Sequence, residues 1–158
     1  MDQVFERKVQ RRESDGQILS LDSLTDAHLA PIIKIAQESF DVVWSEKEFT
    51  ELLKNPDSVA KGAFYGGELV GYFFGIDIQG DLDIITLATS KRFRQLGIAT
   101  LLLNTVLKNV RGEAFLEVDL RNDAALAFYR KAGFIEGRIR KAYYQNKYDA
   151  LCMSLVVG

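Results

Sequence analysis

The chain has 158 residues, with 20 Lys+Arg against 22 Asp+Glu, a net charge of -2 and a sequence pI of about 5.5. That length fits one domain able to bury its own core; a lone cysteine (Cys152) and a lone histidine (His28) exclude a disulfide framework and Cys- or His-rich metal sites. The acidic balance argues against a dedicated nucleic-acid binder, no apolar run reaches the ~18–20 residues of a membrane span, and an N-terminus without an apolar leader points to a reducing, cytoplasmic compartment.

Residues 1–16 are polar and charged, and read as either a loose tail or an added edge strand; a single domain is expected over 17–158. Ile18–Leu21 is a strand candidate. Thr25 or Asp26 can cap a helix whose apolar face carries Leu29, Ile32, Ile33, Ala36 and Phe40. Ser45 and Glu48 have capping-box spacing, so a second helix is predicted to about Lys54, stopped by Asn55-Pro56. The period then changes. Val59–Tyr65 and Glu68–Ile78 form a hairpin about Gly66-Gly67, and Leu82–Thr89 adds a third strand after Gln79-Gly-Asp81. Polar Ser90–Arg94 leads into a core helix over Gly97–Asn109. Ala114–Leu120 is a strand, and Asn122 caps a helix through Ala132 that Gly133 ends. Phe134–Ile139 and Tyr148–Val157 are the last strands. The order β-α-α-β-β-β-α-β-α-β-β predicts an α/β fold with a mixed sheet covered by helices.

Three places can carry chemistry. Arg94-Gln-Leu-Gly97-Ile-Ala99 lies between an apolar strand and a helix start. Small side chains there let a ligand approach the backbone, and the outward N–H groups suit a pyrophosphate; alternatively, it is only a turn with solvated charges. Glu117 interrupts the apolar run Phe115–Leu120. Strand alternation puts Phe115, Glu117 and Asp119 on one face and Leu116, Val118 and Leu120 on the other. That face is either solvated or aims a general base into a cleft. Asn122 reads as a helix cap or a ligand contact, and Tyr129 as a core aromatic or a proton donor.

Taken together, Arg94-x-x-Gly97-x-Ala99 after an apolar strand, Leu116-Glu-Val-x-x-x-Asn122 and Ala127-Phe-Tyr-x-x-x-Gly-Phe134 resemble the GCN5-related N-acetyltransferase (GNAT) superfamily. Phe40, Trp44-Ser-Glu-Lys-x-Phe49, the spacing of Glu117 to Tyr129 and Arg138-x-x-x-x-Tyr143-Tyr144 resemble its RimI-type branch, which acetylates ribosomal-protein alanine N-termini. The resemblance covers about Ile18 to Val156. It implies a central mixed, mostly antiparallel sheet of six or seven strands with about four helices. It also implies an acetyl-CoA site where two parallel strands splay, Leu82–Thr89 and Ala114–Leu120.

By the same resemblance, backbone groups of Leu87, Ala88 and Thr89 pair with the pantetheine arm. The Arg94 loop, with Gln95, Leu96, Gly97, Ile98, Ala99 and Thr100, holds the pyrophosphate without a metal. Asn122 contacts the pantetheine, Glu117 takes a proton from the incoming amine, Tyr129 protonates the departing thiolate, and Tyr143 and Tyr144 line the acceptor groove. The amine attacks directly. The chain departs from the pattern at Gln95-Leu96, where many relatives carry a further Gly, and at Ser90-Lys91, where an Asp-Pro is common. The implied partner is a protein N-terminus, a ribosomal one first. A small amine, an aminoacyl-tRNA or a non-catalytic acyl-CoA-binding role are the alternatives. Cys152 is expected as a buried small hydrophobe, His28 as structural or solvent-facing, and Arg138, Arg140 and Lys141 as a solvated basic cluster.

Overall fold

The computed structural model describes residues 19–41 and 43–158. The extension over 1–16 and Ile18 of the first strand candidate lie outside them. The element order is the expected one, with seven strands and four α-helices. The strands hydrogen-bond in the order β1-β2-β3-β4-β5-β7-β6. The pairs β1–β2, β2–β3, β5–β7 and β6–β7 are antiparallel, and β4–β5 is parallel. No helix among the described residues is long and apolar enough to cross a membrane.

The described residues form two compact units. One comprises the chain up to Ile76 together with Ile85–Lys108; the other comprises Asp77–Ile84 and Asn109–Gly158. Strand β4 (Asp81–Thr89) contributes to both.

The first unit holds β1 (Leu19–Ser23), α1 (Leu29–Ser39), α2 (Glu46–Lys54), β2 (Ser58–Tyr65), most of β3 (Glu68–Ile78) and α3 (Ile98–Leu107). Thr25 begins a 3₁₀ turn before α1, and its N–H donates to His28 Nδ1 at 2.9 Å, giving the single histidine a structural role. The box at α2 forms as the spacing predicts: Glu48 N–H donates to Ser45 Oγ at 3.1 Å, and Ser45 N–H to Glu48 Oε1 at 3.0 Å. Ser45→Ala is therefore expected to lower stability by about 1 kcal/mol, read as a lower denaturation midpoint at unchanged m-value.

Gly66 and Gly67 close the β2–β3 hairpin with φ of 58° and 82°, the left-handed pair that suits a two-residue turn. The core gathers Ile32, Ile35 and Ala36 of α1, Phe49 and Leu52 of α2, and Leu69, Tyr72 and Phe74 of β3. Phe49 meets Tyr72 edge-on at 6.1 Å, a favourable arrangement of ring quadrupoles. Burial pushes the Tyr72 phenol up to about 12, offset in part by its hydroxyl contact with Thr86 at 3.3 Å.

The second unit holds β5 (Glu113–Asp119), α4 (Asp123–Lys131), β6 (Ile135–Tyr144) and β7 (Tyr148–Val156). Along β5, Ala114, Leu116 and Val118 are buried, while Phe115, Glu117 and Asp119 are half-buried, the alternation read from the sequence. Strand β6 runs five residues beyond its expected end at Ile139. The cause is an irregular ladder with β7: four steps of β6 from Arg140 to Tyr144 match two of β7 from Ala150 to Tyr148. Two residues of β6 are thus extra there, and Ala142 among them takes a left-handed φ of 51°. Asp149 secures the bulge by accepting from Ala142 N–H at 2.8 Å and from Lys141 Nζ at 3.3 Å. Donation from Ala142 N–H, the stronger influence, holds the Asp149 carboxyl below its ordinary range.

Candidate active site

In the first unit, β4 ends at Thr89 and a 3₁₀ turn over Lys91–Phe93 leads to the loop before α3. Two residues of that loop are left-handed, Gln95 at φ 64° and Gly97 at 83°. Gly97 is the N-cap of α3, and its carbonyl receives Leu101 N–H at 3.0 Å. The amides of Ile98, Ala99 and Thr100 precede that first intrahelical bond and have no acceptor within the helix. With the helix dipole behind them they form a site for an anion such as a pyrophosphate. The predicted residues Gln95, Leu96, Gly97, Ile98, Ala99 and Thr100 are thus contiguous about one helix start.

Arg94 turns elsewhere. Its Nη2 donates to the Glu38 carbonyl at 3.0 Å and to Ser39 Oγ at 3.1 Å, both at the end of α1, and its Nε reaches the Thr89 carbonyl at 3.3 Å. A guanidinium at a helix C-terminus also complements the dipole there. Arg94 fastens the end of β4 and the loop to α1.

Gly71 was not singled out by its sequence position, although a glycine inside an apolar strand signals a close approach. A Cβ at Gly71 would lie 3.0 Å from Ile98 Cγ2 and 3.3 Å from the Ala88 carbonyl oxygen. The missing side chain lets the first turn of α3 pack onto β3. Gly71→Ala is expected to cost about 1–3 kcal/mol through overpacking and to weaken acetyl-CoA binding severalfold by displacing the Ile98 amide. Calorimetric titration beside a melting curve checks both.

In the second unit, the β4–β5 ladder consists of Leu82↔Ala114 and Asp83↔Phe115. Glu117 stands opposite Cys152 of β7. Its Oε1 accepts from Arg140 Nη1 at 3.0 Å, and its main-chain carbonyl accepts from the Tyr144 hydroxyl at 3.0 Å. The Glu117 side chain is 25% exposed and that of Arg140 41%. Burial first, and the Glu117 carboxylate second, raise the Asp83 carboxyl. Asp119 is held below its ordinary value by the hydrogen bond from the Arg121 side chain.

Tyr129 on α4 is buried, packed edge-on against Phe128 at 5.0 Å and Phe134 at 5.3 Å. Burial, helped by the neighbouring Tyr144, raises its phenol well above the ordinary value. Burial likewise raises Tyr144, with Tyr143, Glu117, Asp119 and Cys152 adding to it. Tyr143 and Tyr144 meet edge-on at 4.9 Å. The unit therefore assembles a carboxylate, a guanidinium and two protonated phenols around β5.

Two placements differ from the sequence reading. Cys152 is half-buried rather than enclosed, because the antiparallel register sets it directly across from Glu117, and opposed residues share a face. Arg140 leaves the solvated cluster to pair with Glu117. Asn122 is the N-cap of α4, as the sequence predicts, its Oδ1 accepting from Ala125 N–H at 3.0 Å. The Arg140 pairing has no local signal, since the partners lie 23 positions apart.

Among the described residues, a seven-stranded sheet with one parallel pair, flanked by four helices, has the architecture of an N-acetyltransferase fold. Residues 29–134 match the Acetyltransferase (GNAT) family. The chain belongs to that family and is an acetyl-CoA-dependent N-acetyltransferase. It is 32% identical to the N-alpha-acetyltransferase RimI of Mycobacterium tuberculosis, over 84% of this chain and 88% of that protein. Its fold is similar to the ribosomal-protein-S18-alanine N-acetyltransferase of Escherichia coli, with a TM-score of 0.82, 23% identity and coverage of 89% and 95%. Arabidopsis thaliana Naa50, solved with the bisubstrate analogue CoA-Ac-MVNAL, gives a TM-score of 0.74 at 26% identity, covering 87% of this chain and 97% of that one.

Proposed function

We propose that the protein acetylates the α-amine of a protein N-terminus, the N-terminal alanine of a small-subunit ribosomal protein being the first acceptor to test. The observation that carries the reading is the pairing, within one unit, of a half-buried carboxylate at Glu117 with a buried, protonated phenol at Tyr129. A transfer from a thioester to an amine needs both functions. The N-alpha-acetyltransferase name of the 32% identical relative supports the same acceptor class.

The chemistry runs as follows. A peptide α-ammonium has a pKa near ~8 and is mostly protonated at neutral pH. Glu117 takes one proton, directly or through water, and the freed nitrogen attacks the thioester carbonyl. The C–N bond forms and, as the tetrahedral species collapses, the C–S bond breaks. Tyr129 gives its proton to the leaving sulfur and is reprotonated by the second proton that nitrogen sheds. Leu87, Ala88 and Thr89 of β4 offer main-chain groups to the pantetheine arm and carbonyl, and the first turn of α3 offers amides to the pyrophosphate. Tyr143 and Tyr144 hold the acceptor's first residues. A reducing, cytoplasmic setting agrees with the free thiol of Cys152.

The test is mass spectrometry of an Ala-initiated basic peptide incubated with enzyme and acetyl-CoA, beside a copy with a blocked N-terminus and one internal Lys. Acetylation of the free-N-terminus peptide alone is expected. Acetylation of the blocked peptide, or of neither while acetyl-CoA still binds, refutes the α-amine reading and directs attention to lysine, small amines or aminoacyl-tRNA.

A further inference from the structure

The carboxylate assigned to proton removal has a partner that the chemistry of transfer does not itself require. Arg140 Nη1 lies 3.0 Å from Glu117 Oε1. Its guanidinium sits over the Tyr143 ring, 4.3 Å from the centroid, which restricts where it can swing. The main chain around it is fixed too. Arg140 is in register with Ala150, and the next residues form the two-residue bulge that Asp149 clasps through Ala142 N–H and Lys141. Beyond the bulge, Tyr144 donates to the Glu117 carbonyl. Strand β6 therefore holds Glu117 twice, by its side chain before the bulge and by its main chain after it.

The charges facing Glu117 explain why such a hold matters. Asp83 approaches from β4 and repels it. Asp119 follows on β5, but Arg121 is committed to it by a contact of 2.6 Å. From β6 come Arg140, Tyr143 and Tyr144; from β7 comes Cys152, opposite Glu117; from α4 comes Tyr129, behind Tyr144. Among these described residues, Arg140 is the cation bonded to Glu117. Without it, none of these groups would hold the direction of the carboxylate against the repulsion of Asp83.

We infer that Arg140 is a positioning residue for acetyl transfer, holding the Glu117 carboxylate aimed at the acceptor amine against the opposing charge of Asp83. The inference rests on the reading of Glu117 as the base. It also gives the strand bulge a function, since that irregularity is what fits both Arg140 and Tyr144 against one residue of β5.

The test is a double-mutant cycle on the full chain with one Ala-initiated peptide, comparing wild type, Arg140→Ala, Arg140→Lys, Glu117→Gln and the Arg140→Ala/Glu117→Gln pair. Each is profiled from pH 5.5 to 9.5 and checked by thermal melting. Arg140→Ala is expected to lower kcat about tenfold by freeing the carboxylate to swing away from the acceptor amine. The KM for acetyl-CoA stays unchanged. Arg140→Lys recovers part of the loss by restoring a cation to the pair. In the Glu117→Gln background, Arg140→Ala adds no further loss, because it acts through the group already removed. A full additional loss in that background overturns the inference, as does an unchanged kcat in Arg140→Ala. An unimpaired Glu117→Gln enzyme overturns the base assignment itself and the inference with it; a slow Glu117→Gln enzyme beside an unaffected Arg140→Ala enzyme overturns the inference alone.

Discussion

Glu117→Gln is expected to lower kcat by about 10²–10⁴-fold, the range typical of lost general-base help, with little change in acetyl-CoA affinity or melting temperature. The three quantities separate because the residue touches different things. Its side chain bonds to Arg140 at 3.0 Å, at the surface of the second unit, so the amide substitution leaves the half-exposed guanidinium to water and costs the fold little. Its carbonyl, which holds Tyr144, is untouched by the change. The amides assigned to the pyrophosphate belong to the start of α3 in the first unit. Raising the pH should recover part of the rate, since the fraction of free amine grows towards its pKa near ~8 and the base becomes less necessary. Stopped-time assays across pH with a single peptide read all of this. A loss of acetyl-CoA affinity as large as the loss of kcat would instead make Glu117 a structural residue.

Tyr129→Phe comes second, with an expected loss in kcat near ~10², the lower end of the same range, because a thiol of pKa ~8.5 is already a fair leaving group. Folding should survive. The ring, packed between Phe128 and Phe134, is kept, and the hydroxyl has no hydrogen-bond partner among the described residues, so its removal strands nothing. The raised phenol also sets a sign for pH. A group whose proton is held more tightly in the folded state stays protonated through neutral and mildly basic pH, so Tyr129 cannot cause a fall in kcat below about pH 10. A basic limb below that pH that disappears in Tyr129→Phe would contradict the assignment, as would an unchanged kcat.

What the sequence made legible was local. The Ser45–Glu48 box, the Gly66-Gly67 turn and the alternation of Ala114, Leu116 and Val118 against Phe115, Glu117 and Asp119 each depend on residues within a turn or a strand, and each formed. The helix start at Gly97 was readable for the same reason. What remained hidden depends on registers and on distant partners. Arg94 finds Glu38 and Ser39 across more than fifty positions, partners that no local pattern announces. Cys152 sits in an apolar run, yet its exposure is decided by which β5 residue it faces. The true end of β6 lay beyond reach because a left-handed alanine and an aspartate five residues past the strand together prolong it.

The same bulge matters to the chain's company as well as to its chemistry. In the strand order, β6 ends the row, and its ten residues leave Ile135, Ile139 and Tyr143 exposed. A long outer strand with apolar side chains invites another chain to zip onto its free amides and carbonyls. Here the rhythm of that outer edge is broken at Lys141–Tyr143, where a left-handed alanine tips the backbone out of line, and Arg138, Arg140 and Lys141 bring positive charge to it. A straight incoming strand would lose its register within a few residues. The irregularity that sets Arg140 and Tyr144 against Glu117 thus also interrupts the regular edge that strand addition needs.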